Sequence, residues 1–334
     1  MAMSDDRRVA LSAWVAQVLK EAQCTLRPAS GDASFRRYFR VYTSSGTTFI
    51  AMDAPPDKED CRPYIRIARA FRAIGLNVPE IIADDLARGF LLITDLGDRL
   101  YLDALSERTV DALYHDALHA LLVLQSACGT DELPPYDEKL LRQEMELFRE
   151  WYIGRHLGIP LRSIEHELLN RAFRTLAAAA LEQPRVAVHR DYHSRNLLLT
   201  DSNNPGILDF QDAVVGPVTY DLVSLLRDCY IAWPRERVGS WAREYFAQAR
   251  AVGVSAGDNA AEFLRWFDLM GVQRHLKAIG IFARLNHRDG KPNYLGDIPR
   301  VRGYLIDVVM HYPELHELGA LVTGLPTKAA GSSV

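Results

Sequence analysis

Val186-Ala187-Val188-His189-Arg190-Asp191-Tyr192-His193-Ser194-Arg195-Asn196-Leu197-Leu198-Leu199-Thr200, followed after a polar break by Gly206-Ile207-Leu208-Asp209-Phe210-Gln211-Asp212, decides how this chain is read. An apolar run delivers His189-Arg190-Asp191, Asn196 comes shortly after, and a second apolar run ends on Asp209. Leu197 to Thr200 and Ile207 to Phe210 read as two short strands around the breaker cluster Asp201-Ser202-Asn203-Asn204-Pro205-Gly206. Antiparallel pairing would put Asn196 and Asp209 at the same end of that hairpin, within reach of one hard cation, with Asp191 just upstream.

Those residue types suit phosphoryl transfer. A carboxylate such as Asp191 orients a hydroxyl and accepts its proton, while Asn196 and Asp209 offer oxygen ligands to Mg2+, which bridges the phosphates of ATP. The order H-R-D-x-x-x-x-N followed by D-F is the catalytic pattern of kinase-like enzymes.

Composition narrows the alternatives. The chain has 334 residues, 48% hydrophobic and 25% charged, enough for two domains or one two-lobed enzyme. A net charge of −4 gives no general attraction for nucleic acid. Cys24, Cys61, Cys128 and Cys229 are scattered without a CxxC pair, which argues against a zinc site or a disulfide framework and fits a reducing cytoplasm. No apolar run is long enough for a membrane span, so no membrane role is expected. Oligomeric state has no signature in the chain.

Along the chain, residues 7 to 22 carry apolar side chains at helical spacing. Ser30-Gly31-Asp32-Ala33-Ser34 forms a small-residue turn between strands, where backbone amides at Ser30, Gly31 and Ser34 can approach phosphates. Strands are expected over Phe35 to Tyr42 and Thr47 to Met52, then a helix over Pro63 to Ile74 that Gly75 stops. Phe90 to Asp98 reads as a strand entering an elbow, where the backbone of Asp95 and Leu96 can meet an adenine edge. Beyond Gly97 the periodicity is helical: Asp137 to His156, Ser163 to Leu181, Tyr220 to Ile231, Arg235 to Val252, Ala260 to Leu285 and Val301 to His311. The expected architecture is α+β and two-lobed, with a small mixed β lobe over residues 1–96 that binds nucleotide. A large helical lobe over residues 97–334 carries the catalytic loop and the acceptor.

The sequence resembles the aminoglycoside phosphotransferase family, which shares the protein-kinase-like fold. Within that family it looks most like the bacterial anomeric sugar kinases acting on N-acetylmuramate and N-acetylglucosamine in cell-wall and peptidoglycan recycling. Three stretches carry the narrower resemblance: Val188 to Leu198, Asp209 through Gly216-Pro217 to Tyr230, and Gln273 to Leu285. The resemblance implies Asp191 as catalytic base, Asn196 and Asp209 as metal ligands, ATP and Mg2+ as cofactors, and a small amino sugar as acceptor.

The chain departs from many kinases at one point. The strand Thr48 to Met52 has no lysine and the helix Pro63 to Ile74 no glutamate, so the usual lysine–glutamate pair is missing. Arg36 or Arg40 is expected to meet the phosphate charge instead. On the acceptor side, seven Lys/Arg against two acids between Gly271 and Arg302 suit an anionic or neutral polar acceptor better than a polycation. Arg274 and Lys277, three apart on one helical face, are the candidates to bind it. His193, Arg195, Gln211 and Asp212 flank the catalytic positions and are expected near the acceptor, with Trp233 available to stack on a sugar ring. His189 and Asp221 are expected to brace the loop. Competing expectations are an aminoglycoside, choline or homoserine kinase of the same fold, or a non-catalytic nucleotide-binding module.

Overall fold

The structure, a computed structural model, describes residues 5–30 and 35–326. In chain order the helices are α1 (Asp5–Leu19), α2 (Arg62–Ala73), the short α3 (Tyr101–Ala104), α4 (Val110–Ala127), α5 (Glu138–Leu147), α6 (Ser163–Leu181), α7 (Tyr220–Leu226), α8 (Arg235–Ala251), α9 (Ala260–Asp289), α10 (Ile298–Val309) and α11 (His316–Gly324). The strands are β1 (Thr25–Ser30), β2 (Arg37–Tyr42), β3 (Thr48–Asp53), β4 (Ile81–Asp85), β5 (Phe90–Thr94), β6 (Arg185–Val188), β7 (Leu197–Leu198), β8 (Gly206–Ile207) and β9 (Val214–Pro217).

These elements pack into two compact units that interleave along the chain. One takes the described residues up to Ala117 together with Arg195–Asp212, the other Leu118–Ser194 with the described residues from Ala213 onward.

In the first unit a five-stranded sheet runs in the order β1-β2-β3-β5-β4, every pairing antiparallel. Side chains alternate across it. Phe39, Val41, Ala51, Phe90 and Leu92 turn to one face, where Leu11, Trp14 and Val15 of α1 cover them. Tyr38, Arg40, Ile50 and Ile93 turn to the other. Helix α2 forms because Pro63 sets its first turn and Gly75, at φ +90°, releases it. Its Tyr64 and Phe71 pack on Phe210, with ring centroids 4.8 and 5.8 Å away. The hairpin β7–β8 belongs to this unit, joined antiparallel through Leu197↔Ile207. Its pairing is shorter than the residue pattern suggests. The Ile207 amide donates to Asn77 O and the Leu199 amide to Arg99 O, so neighbouring chain satisfies groups that a longer ladder would have used.

The second unit is built around α9, a 30-residue helix capped by the Asn259 side chain on the Glu262 amide and ended by Gly290 at φ +65°. The segment expected as one helix over Asp137 to His156 is divided: α5 stops at Leu147 and a π-helix covers Phe148–Leu157. The π-helix starts where Gly280 of α9 comes against the Leu147 backbone, so close that a Cβ on Gly280 would lie 2.4 Å from Leu147 C. Helix α7 ends at Leu226, earlier than its pattern implies. Past it, Asp228 takes the Tyr230 amide at 2.8 Å and turns the chain away.

Candidate functional site

In the first unit, the open face of the sheet, the β5 elbow and the β7–β8 hairpin enclose a cleft of about 350 Å³. Tyr38, Ile50, Tyr64, Ile93 and Leu208 supply its apolar walls, and Asp95 and Leu96 line its elbow side. Arg195, Asn196 and Asp209 stand at the hairpin side. That size and one apolar wall suit a planar base, with the charged and polar groups gathered at the elbow and hairpin sides. Asp95 keeps its carboxylate for structure: Arg40 Nε and Nη2 grip it at 2.6 and 3.1 Å, and its Oδ1 takes the Gly97 amide at 3.0 Å.

Asn196 and Asp209 converge as the hairpin requires. The Leu208 amide donates to Asn196 O at 2.9 Å, and Asn196 Nδ2 lies 3.5 Å from Asp209 Oδ2. Asp209 is held in the left-handed region at φ +62°, a conformation that needs surrounding contacts to persist in a non-glycine residue. Gln211 Nε2 donates to Asp209 Oδ1 at 2.7 Å, so it orients this carboxylate. Two half-exposed oxygen donors at the same end of the hairpin, one before β7 and one after β8, suit a hard divalent cation. Arg36 forms an ion pair with Glu59 at 2.9 Å. Gly31 and Ser34 lie outside the described residues, and Ser30 ends β1.

The second unit holds Asp191. Its loop leaves β6 and is clamped by two buried acids. Asp221 of α7 accepts from the His189 and Arg190 amides at 2.6 and 2.9 Å, and Asp228 accepts from the Ser194 amide at 2.8 Å. Arg190 sits at φ +79°, and His189 Nδ1 takes the Asp191 amide at 3.3 Å. The chain passes into the first unit directly after Ser194.

A buried polar network lies next to the loop. Glu144 Oε1 meets Arg190 Nη2 at 2.7 Å and Lys277 Nζ at 2.9 Å. Its Oε2 takes the Tyr136 hydroxyl and, at 3.3 Å, Gln273 Nε2. Lys277 also donates to the Tyr220 hydroxyl at 3.0 Å, while Arg274 donates to Arg190 O at 3.3 Å and stacks over the Tyr220 ring. Arg274 and Lys277, read from the sequence as acceptor-binding, are each only 7% exposed and joined to the loop. Their effect is electrostatic. Burial pushes the Asp191 carboxyl up, but Lys277, His193, Arg274 and Arg190 outweigh it and hold the group at about 2. For Asp221 burial wins and pushes the carboxyl up to about 7, against the two amides and Arg274.

Of the remaining expected residues, His193 sets its ring edge against Tyr230, 5.3 Å between centroids. Asp212 is exposed, and Trp233 is buried against Trp241. Glu144 and Asp228 escaped sequence reasoning. Glu144 carried a signal, since it falls within the apolar series Leu141, Met145, Phe148, where an unpartnered charge has no place. Asp228 carried none beyond lying inside a helical pattern.

Comparison with known proteins agrees with this geometry. The sequence pattern of the phosphotransferase enzyme family matches residues 25–264. An N-acetylmuramate/N-acetylglucosamine kinase of Pseudomonas aeruginosa is 48% identical, covering 98% of this chain and 99% of the relative. Proteins of the same name from Pseudomonas putida and Neisseria meningitidis are 50% and 43% identical, covering 91% and 96% of this chain and 89% and 96% of theirs. Among solved structures, choline kinase LicA from Streptococcus pneumoniae superposes with a TM-score of 0.63 at 10% identity, covering 91% of this chain and all of that one. ADP-bound aminoglycoside phosphotransferase APH(2'')-Ib gives 0.57 at 16%, covering 87% and 96%. At such identities these two speak for the fold alone, which is the two-lobed, protein-kinase-like one. With a matching family pattern over most of its length and relatives near half identical from end to end, this chain belongs to the phosphotransferase enzyme family.

Proposed function

We propose that this chain is an ATP-dependent kinase that transfers the γ-phosphoryl group to the anomeric hydroxyl of N-acetylmuramate or N-acetylglucosamine, in the recycling of cell-wall sugars. Full-length similarity to kinases of those two sugars supports the acceptor. The observation that carries the chemistry is the cationic network around Asp191, which keeps a mostly enclosed carboxylate ionised. A carboxylate held at about 2 is a weak base. An anomeric hydroxyl yields its proton more readily than an ordinary alcohol, because the ring oxygen withdraws charge, and so matches such a base.

In this reading Asp191 orients the acceptor hydroxyl and receives its proton as the phosphoryl group arrives. The cleft of the first unit takes the adenine, with the Asp95–Leu96 backbone at its edge. Asn196 and Asp209 would hold Mg2+, which neutralises phosphate charge when bound. His193 and Arg195 flank the base on the acceptor side. Four free cysteines are consistent with action in the cytoplasm.

The test is ADP release with ATP and magnesium, offered N-acetylmuramate, N-acetylglucosamine, kanamycin, choline or no acceptor. Turnover with the amino sugars, giving a product that has lost its reducing end, is expected. Turnover confined to kanamycin or choline, or a product still reducing, would overturn the acceptor or the anomeric position respectively.

A further inference from the structure

The β3 position that faces the cleft carries no cation. Met52, fully buried, pairs with Tyr38 across the β2–β3 ladder, and Ile50 pairs with Arg40. Yet the nucleotide reading needs a positive charge for the phosphates on this face. Three arginines stand near the start of β2. Arg37 turns to the far face and joins Arg7 on Asp53. Arg40 turns to the cleft but is spent on Asp95, Asp98 and Gly97 O at the elbow. Arg36 immediately precedes β2, two residues before Tyr38, and its charge acts on Tyr64 and Asp209, which line the cleft.

Arg36 is also the one of the three tied to α2. Its Nη2 is 2.9 Å from Glu59 Oε2, with only 11% and 17% of the two side chains exposed. Glu59 lies just ahead of Arg62, where α2 begins. The charges of Asp209 and Asp212 also bear on Arg36, holding its guanidinium protonated despite burial. A cation beside the cleft, paired to a carboxylate just ahead of α2 and felt by Asp209, is the arrangement that a strand lysine and helix glutamate otherwise provide.

We propose that Arg36, held by Glu59, binds the phosphates of the nucleotide, the charge having moved from β3 to the residue that leads into the adjacent β2. A guanidinium suits the transfer: its five donors in a rigid fork let one group serve a carboxylate and a phosphate together. The pair also links α2 to nucleotide binding, because Tyr64 and Phe71 of the same helix pack on Phe210, next to Asp209. This inference rests on the kinase reading for its ligand but not on the identity of the acceptor.

The experiment is calorimetric binding of ATP, ADP and adenosine, each with magnesium, to the full chain and to Arg36→Met, Arg36→Lys and Glu59→Gln. Arg36→Met is expected to weaken ATP by about tenfold to a hundredfold while leaving adenosine unchanged. Arg36→Lys should recover part of the loss, and Glu59→Gln should weaken ATP by a smaller factor. Placing the charge back on β3, as Arg36→Met with Met52→Lys, should restore ATP binding relative to Arg36→Met alone. Unchanged ATP affinity in Arg36→Met, or equal weakening of ATP and adenosine, would overturn the proposal. Because binding needs no acceptor, failure of every sugar to turn over would sink the acceptor assignment and leave this result standing.

Discussion

Lys277 Nζ lies 2.9 Å from Glu144 Oε1, and neither residue is more than 7% exposed. Glu144 thereby answers two cations, the buried Lys277 and the half-buried Arg190, and its own carboxyl is held below the usual range: burial raises it, but Lys277, Arg190 and the Tyr136 hydroxyl more than compensate. Breaking a buried pair by removing one partner leaves charge without compensation. Glu144→Gln is therefore expected to destabilise the fold by about 3–5 kcal/mol. Urea denaturation checks this, and a midpoint equal to that of the parent protein would show the network to be dispensable.

The same lysine helps to depress the carboxyl of Asp191, the proposed base. Asp191 has a depressed carboxyl, so the stability it contributes is present above the unfolded value of about 3.9 and is lost as pH falls through about 2. Removing the Lys277 charge raises the folded value and narrows that window. For Lys277→Met the acid limb of the kcat/KM profile is expected to move to higher pH, with lost activity partly recovered on raising the pH. An acid limb that stays put would mean that Lys277 acts on structure alone.

Asp191→Asn removes the proposed proton acceptor while keeping its shape. Turnover is expected to fall by about 10²–10⁴. ATP binding should persist, since the cleft, Asn196 and Asp209 belong to the other compact unit. Turnover and calorimetry on one preparation separate the two effects, and turnover at the parent rate would remove Asp191 as the base.

Much of this was legible in the chain because chemistry and local geometry coincided in one stretch. His189 to Asp212 announces its hairpin through breakers and the approach of Asn196 to Asp209 through that hairpin, and α2, α6, α8 and α9 followed from apolar period and punctuation. What stayed hidden depends on partners distant in sequence. The buried Lys277 is answered by Glu144 and the buried Arg274 by the Arg190 carbonyl, both far earlier in the chain, and nothing local to α9 distinguishes these cations from solvated ones. The ion pairs of Arg36 with Glu59 and of Arg40 with Asp95 likewise join residues that lie far apart in the chain. The π-helix reflects the approach of α9 to Leu147, a packing event that periodicity within residues 137–156 does not encode.

Asp221 braces the catalytic loop through two backbone amides and is fully buried. Asp221→Ala leaves both amides without that acceptor, at roughly 1–3 kcal/mol each. A drop in kcat larger than any rise in the KM for ATP is expected. The carboxyl also shapes pH dependence. Its folded value is raised to about 7, so the native state holds an extra proton between the unfolded value of about 3.9 and about 7. Its contribution to stability therefore declines as pH rises through that interval and levels above it. Denaturation midpoints across this range should lose that component of slope in the variant. An identical slope would place the proton elsewhere.

Gly280 tests the packing that supports the whole second unit. In an exposed helix interior, glycine to alanine stabilises by up to about 1 kcal/mol, because alanine loses less backbone freedom. At Gly280 that gain meets an obstacle, since the new methyl would lie 2.4 Å from Leu147 C and 2.6 Å from Leu147 O, backbone atoms that cannot rotate away. Helix α9 must then move off the start of the π-helix, and overpacking of this kind costs about 1–3 kcal/mol. Gly303 of α10 supplies the control: it is exposed, and nothing within 4 Å would meet a methyl there. Gly280→Ala should therefore lower the thermal midpoint while Gly303→Ala raises it or leaves it level. ATP affinity should be unchanged in both, because the cleft lies in the other unit. If Gly280→Ala were as stable as Gly303→Ala, the close approach of α9 to Leu147 could not be what fixes this helix in place.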